Sequence, residues 1–212
     1  MSNTARENIL KKIKQALKKP VPVPFSASVG NTIAVYQPSI QELEIEFAEN
    51  FTKLQGRFSF CANETELAAQ LNVLATQRKW SKIFCCEKEL KNSLIEKDFQ
   101  NINSTDLATC EASITYCEQL VARTGSMLLS SGQASGRTVS VYAPVHICIA
   151  YTDQLVYDIA DSFNSLLDKY RLHLPSLITL ASGPSRTADI EKTLVVGVHG
   201  PKEVFCFLLD RQ

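Results

Sequence analysis

The sequence lacks the closely spaced cysteines that iron–sulfur clusters and structural zinc ions normally require. None of its cysteines forms a Cys-x-x-Cys pair, and most stand in apolar stretches, where a thiol behaves as a small hydrophobic side chain. We therefore expect no cofactor, metal or cluster bound by this chain. The seven cysteines are Cys61, Cys85, Cys86, Cys110, Cys117, Cys148 and Cys206.

The sequence also lacks a long apolar run and an excess of charge of one sign. No segment approaches the roughly 20 apolar residues that cross a bilayer, and Met1–Ile9 does not have the basic-then-apolar order of a secretory signal. The 22 basic and 22 acidic side chains cancel, so no overall charge attracts nucleic acid or an anionic membrane. These absences predict a cytoplasmic protein without a transmembrane segment or a nucleic-acid partner.

The N-terminal region is predicted to be an arm. Ser2–Lys19 has apolar residues at helical spacing among basic ones, which predicts an amphipathic helix. Pro20–Pro24 alternates proline with valine and favours an extended, stiff connector. We predict an arm and connector over residues 1–37 and an α/β domain over residues 38–212. The arm could contact a partner or a membrane, or dock on its own domain.

The middle of the chain alternates helical and strand patterns. Ser39–Leu54 has a helical period, with Ser39 as its N-cap after a proline. A strand over 58–61, a helix over 63–78 and a strand over 82–86 follow, which is a βαβ arrangement and predicts parallel strands. Residues 92–110 are weakly patterned, with one candidate strand over 99–102.

Glycine is concentrated in the C-terminal half. Six of the eight glycines lie between residues 125 and 200, beside hydroxyl or charged residues, where they mark tight turns and close approach of a ligand. The apolar segments between them predict strands over 127–130, 138–142, 147–151, 177–181 and 204–209, with helices over 155–170 and 188–196.

The segment Leu177–Glu191 is the first candidate for a site. An apolar strand runs through a hydroxyl-rich glycine turn into a predicted helix, and the backbone N–H groups of a helix N-terminus can hold an anion. Asp189 and Glu191 could accept protons, ligate a metal, or only satisfy the helix dipole. An ordinary capped helix explains the pattern equally well. No P-loop lysine follows Gly183, which disfavours a nucleoside triphosphate.

Two further segments carry side chains suited to chemistry. His199 lies in a glycine-flanked turn, Gly197–Pro201, and could exchange a proton near neutral pH, although a structural turn residue is the favoured interpretation. Arg137 ends a glycine-rich hairpin and could clamp a carboxylate or phosphate. An ordinary hairpin is the alternative. Together, His146, His199, Asp189, Glu191 and Glu118 offer metal ligands, but their spacing is not diagnostic and we predict no metal.

These segments resemble the LUD domain family, the family of lactate utilisation protein C. The resemblance extends over roughly residues 112–210 and is most specific in its last two segments. The matching stretches are Ile114–Glu118, Thr124–Ser126 with Gly136–Arg137, Pro144–His146, Ser182–Glu191 and Gly197–Pro201.

The resemblance implies a mainly parallel sheet flanked by helices, of the type found in glucosamine-6-phosphate deaminase, ribose-5-phosphate isomerase and coenzyme A transferases. It also implies a role beside two companion proteins, one with iron–sulfur clusters and its own LUD domain, in oxidising L-lactate to pyruvate. This chain resembles the cluster-free member. The resemblance leads us to expect three sets of site residues. The catalytic residues would be Asp189, Glu191 and His199, and the ligand-binding residues would be Ser182, Gly183, Ser185, Arg186, Thr187, Arg137 and Gly200. Possible second-wall residues, which would line the opposite wall of the site, are Glu118, Thr124, Gly125, Gly136 and His146.

The first hypothesis is therefore that the protein is a component of a lactate-oxidising complex and binds a small carboxylate. The sequence leaves open whether the chain alone is catalytic. A second hypothesis is a non-catalytic assembly subunit of an iron–sulfur oxidoreductase. A third is an isomerase, transferase or cyclo-ligase acting on a phosphorylated or folate-like substrate, which rests on fold analogy alone.

Overall fold

The computed structural model describes residues 5–18, 38–39, 41–188 and 194–211. The chain divides into two units, Met1–Pro38 and Ser39–Gln212. The first contains α1 (Ala5–Leu17), a helix inside the predicted Ser2–Lys19 segment, and all its side chains are exposed. The predicted Pro20–Pro24 connector lies outside the described residues. Within those residues, no helix combines the length and the apolar character that spanning a membrane requires.

The second unit is built around a sheet of five parallel strands. Because the strands run in one direction, their carboxyl ends meet at one edge of the sheet and their amino ends at the opposite edge. In spatial order the strands are β1 (Arg57–Cys61), β11 (Glu203–Leu209), β6 (Val145–Tyr151), β3 (Ala112–Tyr116) and β2 (Ile83–Phe84).

Both faces of the parallel sheet are covered, so its central strands are buried on both sides. One face packs against α3 (Glu64–Arg78) and α4 (Lys88–Glu96), with Ile147 and Ile149 of β6 in that core. The opposite face, including Cys148 and Ala150, packs against α2 (Leu43–Lys53) and a smaller sheet. The alternation along β6 follows the period of two expected for a strand.

The smaller sheet is mixed, and its order is β7 (Leu155–Val156), β4 (Gln119–Val121), β5 (Ser126–Ser130) and β8 (Ile178–Ala181). Between β5 and β6 lies a single helical turn, α5 (Val139–Tyr142), and α6 (Ile159–Tyr170) follows β7. A separate antiparallel hairpin consists of β9 (Arg186–Ala188) and β10 (Leu194–Val196).

The predicted fold class, an α/β protein with a mainly parallel sheet flanked by helices, is confirmed. The helix predicted over 63–78 is also present. Asn63 is its N-cap and accepts a hydrogen bond from the Glu66 backbone N–H at 3.0 Å, while the Glu66 carboxylate accepts from the Ala62 N–H at 2.8 Å. This reciprocal capping satisfies donors that a helix start leaves unpaired.

The helix predicted over 188–196 is wrong. Strands β9 and β10 pair in this region, with Val195 opposite Thr187 and Val196 opposite Arg186, and residues 189–193 lie outside the described residues. Branched side chains favour strands when a pairing partner is near, and helix-like spacing does not reveal that partner. The helix N-terminus expected to hold an anion at Ser185–Thr187 is therefore not formed; an extended strand begins at Arg186 instead.

The strand predicted over 138–142 is also wrong, because Val139–Tyr142 forms the helical turn α5. In that turn only Val139 is buried, and its carbonyl accepts a hydrogen bond from the Ser113 hydroxyl at 2.7 Å. The candidate strand over 99–102 is absent too: Phe99 and Ile102 are buried in a loop. In both segments tertiary packing, and not local propensity, determines the backbone conformation.

Two predicted helices begin later than expected. The helix predicted from Ser39 starts at Leu43 with Glu42 as its N-cap, and the Ser39 hydroxyl instead bonds to Gln41 and Glu46. The helix predicted over 155–170 is preceded by the short strand β7 and starts after Asp158. The sequence patterns missed α4, β3 and β4, which all adjoin the site described next.

Candidate functional site

An open cavity of about 880 Å³ lies at the carboxyl edge of the parallel sheet. Its lining includes Glu87, after β2, Tyr116, at the end of β3, Tyr151, at the end of β6, and Arg211, after β11. Loops beyond the carboxyl ends of parallel strands are the usual location of ligand sites in open α/β sheets. The cavity therefore lies where the fold places ligands.

Glu118 is the centre of a hydrogen-bond network in this cavity. Its side chain is only 2% exposed. One carboxylate oxygen accepts from the hydroxyls of Ser130, at 2.5 Å, and Tyr170, at 2.6 Å, and the other accepts from Lys169 Nζ at 2.6 Å. The network joins the loop after β3 to β5 and to the end of α6.

The network keeps Glu118 charged. Burial alone would raise the pKa of this carboxyl, but hydrogen bonds from Lys169, Ser130 and Tyr170 outweigh burial and hold its pKa below the usual value. In Lys169, burial works to lower the pKa, but the bond to Glu118 prevails and raises it. Lys169 is 60% exposed, so a cationic group anchored on a buried anion projects into the cavity.

Glu87 is the second buried carboxyl of the cavity and behaves differently. Burial raises its pKa, against the opposing effect of hydrogen bonds from the Tyr116 backbone N–H and from Ser135. The bond from the Tyr116 N–H measures 2.6 Å. The nearby charge of Glu118 raises the pKa of Glu87 further. Glu87 and Glu118 are therefore shifted in opposite directions, although both are buried in the same cavity lining.

Another part of the cavity lining is aromatic and cationic. The rings of Tyr116 and Tyr151 lie 6.1 Å apart, centroid to centroid, at 36°. The Arg211 guanidinium lies 4.9 Å from the Tyr151 ring centroid and donates to the Asp153 carboxylate at 2.7 Å. The cation–π contact and the ion pair together hold this guanidinium beside Tyr151 in the lining of the cavity.

The loop over residues 131–137 borders the same cavity. Gln133 and Ala134 line it, and the Ala134 carbonyl accepts from the Cys86 thiol at 3.4 Å. Gly136 has φ +63°, with no atom within 4 Å of where a Cβ would stand. Arg137, predicted to clamp a ligand, donates to the Ser176 hydroxyl at 2.5 Å instead.

A second cavity, of about 670 Å³, lies along β1 and α3. Its lining is mostly apolar or amide-bearing, such as Val73, Gln70 and Phe207. The charged Arg57 at its side pairs with Glu203 at 3.0 Å. With no cluster of acids and bases in this lining, the second cavity offers little for catalysis.

The structure brings the predicted Ser182–Thr187 and Gly197–Pro201 segments together, but at the amino edge of the sheet. The Ser185 N–H donates to the Pro201 carbonyl, and the Gly197 N–H donates to the Ser185 carbonyl, both at 2.9 Å. These segments precede β11, whose neighbour β6 starts beside them. Gly200 packs on Ser185, whose Cβ would be 2.9 Å from an added Cβ.

Two polar side chains of this amino-edge region bond to other parts of the chain. The Ser182 hydroxyl lies 2.6 Å from the Ser126 hydroxyl, and the Arg186 guanidinium donates to the Leu54 carbonyl at the end of α2. Gly183, at φ +84°, approaches the same carbonyl so closely that a Cβ would lie 2.5 Å from it. Side chains expected to hold a ligand thus fasten the turn to α2.

Two of the predicted second-wall residues, Gly125 and His146, pack within the protein. At Gly125, φ is +56°, and an added Cβ would lie 2.4 Å from the Phe51 backbone nitrogen of α2. Only glycine fits such a close crossing. His146 is 1% exposed, its Nε2 lies 2.8 Å from the Thr115 hydroxyl, and burial lowers its pKa to about 4. A neutral, enclosed imidazole of this kind packs the core.

Of the predicted site residues within the described ranges, Glu118 lines the carboxyl-edge cavity and the others do not. Thr124 has a buried hydroxyl oxygen without a hydrogen-bond partner among the described atoms. Thr187 lies in β9, and His199 is exposed near the start of β11. Asp189 and Glu191 lie outside the described residues. The catalytic and ligand-binding roles assigned to these loops stay predictions.

Sequence reasoning missed Glu87, Lys169, Tyr151 and Arg211. Glu87 directly follows the predicted strand over 82–86, and Tyr151 ends the one over 147–151. Because parallel strands end at a common edge, polar residues just after each strand were the available signal. Lys169 carried no such signal, since only the docking of α6 brings it to Glu118. Across the described part of the chain, no group of three or more metal-ligating side chains is found.

Comparison with known proteins agrees with this fold. An uncharacterized protein of Neisseria meningitidis serogroup B is 26% identical over 218 residues, covering 95% of this chain and 91% of that protein. Lactate utilization protein C of a Geobacillus strain is 37% identical over 102 residues, covering 46% of this chain and 42% of that protein. The alignment therefore spans less than half of that relative's length.

A solved structure and a family model extend the comparison. The crystal structure of a DUF162 family protein from Deinococcus radiodurans has the same fold, with a TM-score of 0.58 and 18% identity. The match covers 82% of this chain and 99% of that chain. The family model described as the LUD domain matches residues 88–209, which is more than half of the sequence, and the chain therefore belongs to the LUD domain family.

Proposed function

We propose that this LUD protein is the cluster-free component of an L-lactate oxidation system and binds a small carboxylate in the carboxyl-edge cavity. Family membership and the similarity to proteins named Lactate utilization protein C support the role in lactate utilisation. The proposed companions are an iron–sulfur protein with its own LUD domain and a third subunit. The clusters would belong to the companion, and this chain would supply the ligand site.

The observation that carries the proposal is Lys169 anchored on the buried carboxylate of Glu118. One ammonium proton bonds to Glu118, which leaves two donors for a ligand carboxylate. Because Glu118 stays ionised, Lys169 is held at one position instead of sampling many rotamers, and less entropy is lost when a ligand binds. Arg211 adds a second cation at the cavity rim.

The remaining groups fit a 2-hydroxy or 2-oxo acid. Glu87, whose pKa burial raises, can exchange a proton with a hydroxyl or carbonyl oxygen of the ligand. Converting L-lactate to pyruvate removes two electrons and two protons. In this proposal Glu87 would take the proton of the lactate hydroxyl and Lys169 would hold the carboxylate. The hydrogen on Cα and the two electrons would leave to the companion proteins.

Two alternatives predict different binding behaviour. A non-catalytic assembly subunit would bind no small acid, yet its removal would break up the complex. An isomerase-, transferase- or cyclo-ligase-like enzyme would prefer a phosphorylated or folate-like ligand over lactate. The charged cavity favours a ligand-binding protein over a purely structural one, because ionisable groups with shifted pKa values in an open cavity are typical of functional sites.

Isothermal titration of the purified chain with L-lactate and pyruvate tests the proposal. We expect binding by the wild type and at least a tenfold weaker Kd in Lys169→Ala, because the variant loses a charge-assisted hydrogen bond. Lys97→Ala is the matched control, since Lys97 is exposed at the C-terminal end of α4 and does not line the cavity. It should bind like the wild type. Absence of lactate and pyruvate binding by the wild type would reject the proposal.

A further inference from the structure

The carboxyl-edge cavity is much larger than a three-carbon acid. Lactate has six heavy atoms, which occupy on the order of 100 to 200 Å³ if each takes at most a water's share of volume. The cavity measures about 880 Å³, a size typical of sites that enclose much larger ligands. A small carboxylate beside Lys169 therefore leaves most of the cavity for other ligand atoms.

The unfilled part of the cavity lies along three neighbouring strands. Tyr116 ends β3, Tyr151 ends β6, and Arg211 follows β11, and these strands are adjacent in the sheet. Crossing from β3 to β11 spans two strand spacings, about 10 Å. Lys169 donates to Glu118, which is two residues after Tyr116, and therefore also lies near this row. The row is long enough for an extended ligand.

The side chains of this row suit a planar ring. Two tyrosine rings border the cavity, and the Arg211 guanidinium carbon lies 4.9 Å from the centroid of the Tyr151 ring. The Arg211 side chain is 58% exposed, so the guanidinium face away from Tyr151 remains accessible. Guanidinium planes and aromatic side chains are the groups on which nucleic-acid bases stack.

The charges of the row suit an anionic group attached to that ring. Lys169 and Arg211 provide cations in the lining, and the buried Glu118 charge is already satisfied by Lys169 and two hydroxyls. Burial raises the pKa of Glu87, the second carboxyl of the lining. Lys88, at the start of α4, also lines the cavity.

We propose that the carboxyl-edge cavity binds a mononucleotide-like ligand, with its planar ring against Tyr116, Tyr151 and Arg211 and its anionic group on Lys169. This inference rests on the proposed function for the location of the site and extends it to a second ligand class. The ring part and the small-acid part of the site are separable by mutation, because they are formed by different side chains.

Isothermal titration with AMP, adenosine and ribose 5-phosphate separates the ring from the phosphate. We expect AMP to bind the wild type at least tenfold more tightly than either fragment. Only AMP has both a ring for the tyrosines and Arg211 and a phosphate for Lys169. Arg211→Lys keeps the charge but loses the flat face, so AMP affinity should fall at least fivefold while ribose 5-phosphate affinity stays within twofold. Lys169→Ala should weaken AMP and ribose 5-phosphate alike, and Lys97→Ala should bind both like the wild type.

Two results would overturn the inference. One is AMP binding no tighter than ribose 5-phosphate, which removes the ring contribution. The other is full AMP affinity in Arg211→Lys, which places the ring elsewhere. Lactate titrations on the same proteins keep the two proposals apart: lactate binding without AMP binding refutes only this inference, whereas AMP binding without lactate binding refutes only the lactate role.

Discussion

At the amino edge of the parallel sheet, Ser182 and Arg186 bond to other parts of their own chain, whereas at the carboxyl edge Lys169 and Arg211 hold charged groups in an open cavity. The two edges are separated by the length of β6, seven residues or about 20 Å. Both regions contain the residue types that usually mark a ligand site. Polar residues and glycines therefore indicate a ligand site only when their hydrogen-bonding groups are not already bonded within the chain.

The largest expected effect distinguishes two glycines of similar backbone conformation. Gly125→Ala should destabilise the protein by about 3 kcal/mol, because an added methyl meets the α2 backbone and φ is positive. Gly136→Ala, at φ +63° in open space, should cost only about 1 kcal/mol. Urea unfolding of both variants measures the difference. Equal destabilisation would show that Gly125 does not pack against α2.

The second effect concerns acid stability near the amino edge. The pKa of His146 in the folded protein is about 4, below its usual 6.5. The unfolded chain therefore binds more protons between these values, and stability falls as pH drops from 6.5 towards 4, by up to about 3 kcal/mol. His146→Gln should remove this loss, as judged by thermal unfolding across that pH range. His199→Gln is the exposed control and should keep the wild-type profile.

A smaller effect is expected from the buried anion of the cavity. Glu118→Gln should destabilise the protein by about 2 kcal/mol at pH 7, because Lys169 loses its charged partner while the hydroxyl bonds partly persist. Since the pKa of Glu118 is lowered on folding, its contribution is present above pH 4.5 and is lost as pH falls through the folded-state pKa. The difference between wild type and variant in chemical unfolding should therefore shrink below pH 4.5. A constant difference would mean that charge is not what stabilises the network.

The smallest expected effect decides between the two edges as ligand sites. Ser185→Ala and His199→Gln at the amino edge should change the Kd for L-lactate less than twofold, because the described side chains lie outside the carboxyl-edge cavity. Titration calorimetry beside Lys169→Ala provides the scale. A tenfold loss of affinity in either amino-edge variant would transfer the ligand to the loops that the sequence motifs favoured.

The sequence was informative where local chemistry decides the backbone. The capped helix from Asn63 and the apolar strands near 147–151 and 204–209 follow from residue spacing and are present. The region 186–196 was misread because its strands depend on pairing across a turn, and pairing is not a local property. The glycines were predicted to mark tight turns and close approach of a ligand; Gly125 and Gly183 instead lie close to the backbone of α2 and its C-cap, and Gly136 has open space around it.

By itself the sequence determined the α/β class, the family and the segments that carry the family's motifs, because periodicity and short motifs are properties of neighbouring residues. The tertiary structure alone decided which polar groups remain available. Glu118 and Lys169 are 51 residues apart in sequence and meet only when α6 packs beside β4. Strand direction and helix docking, which are set by burial of the whole chain, placed the charged cavity at one edge of the sheet and the glycine turns at the other.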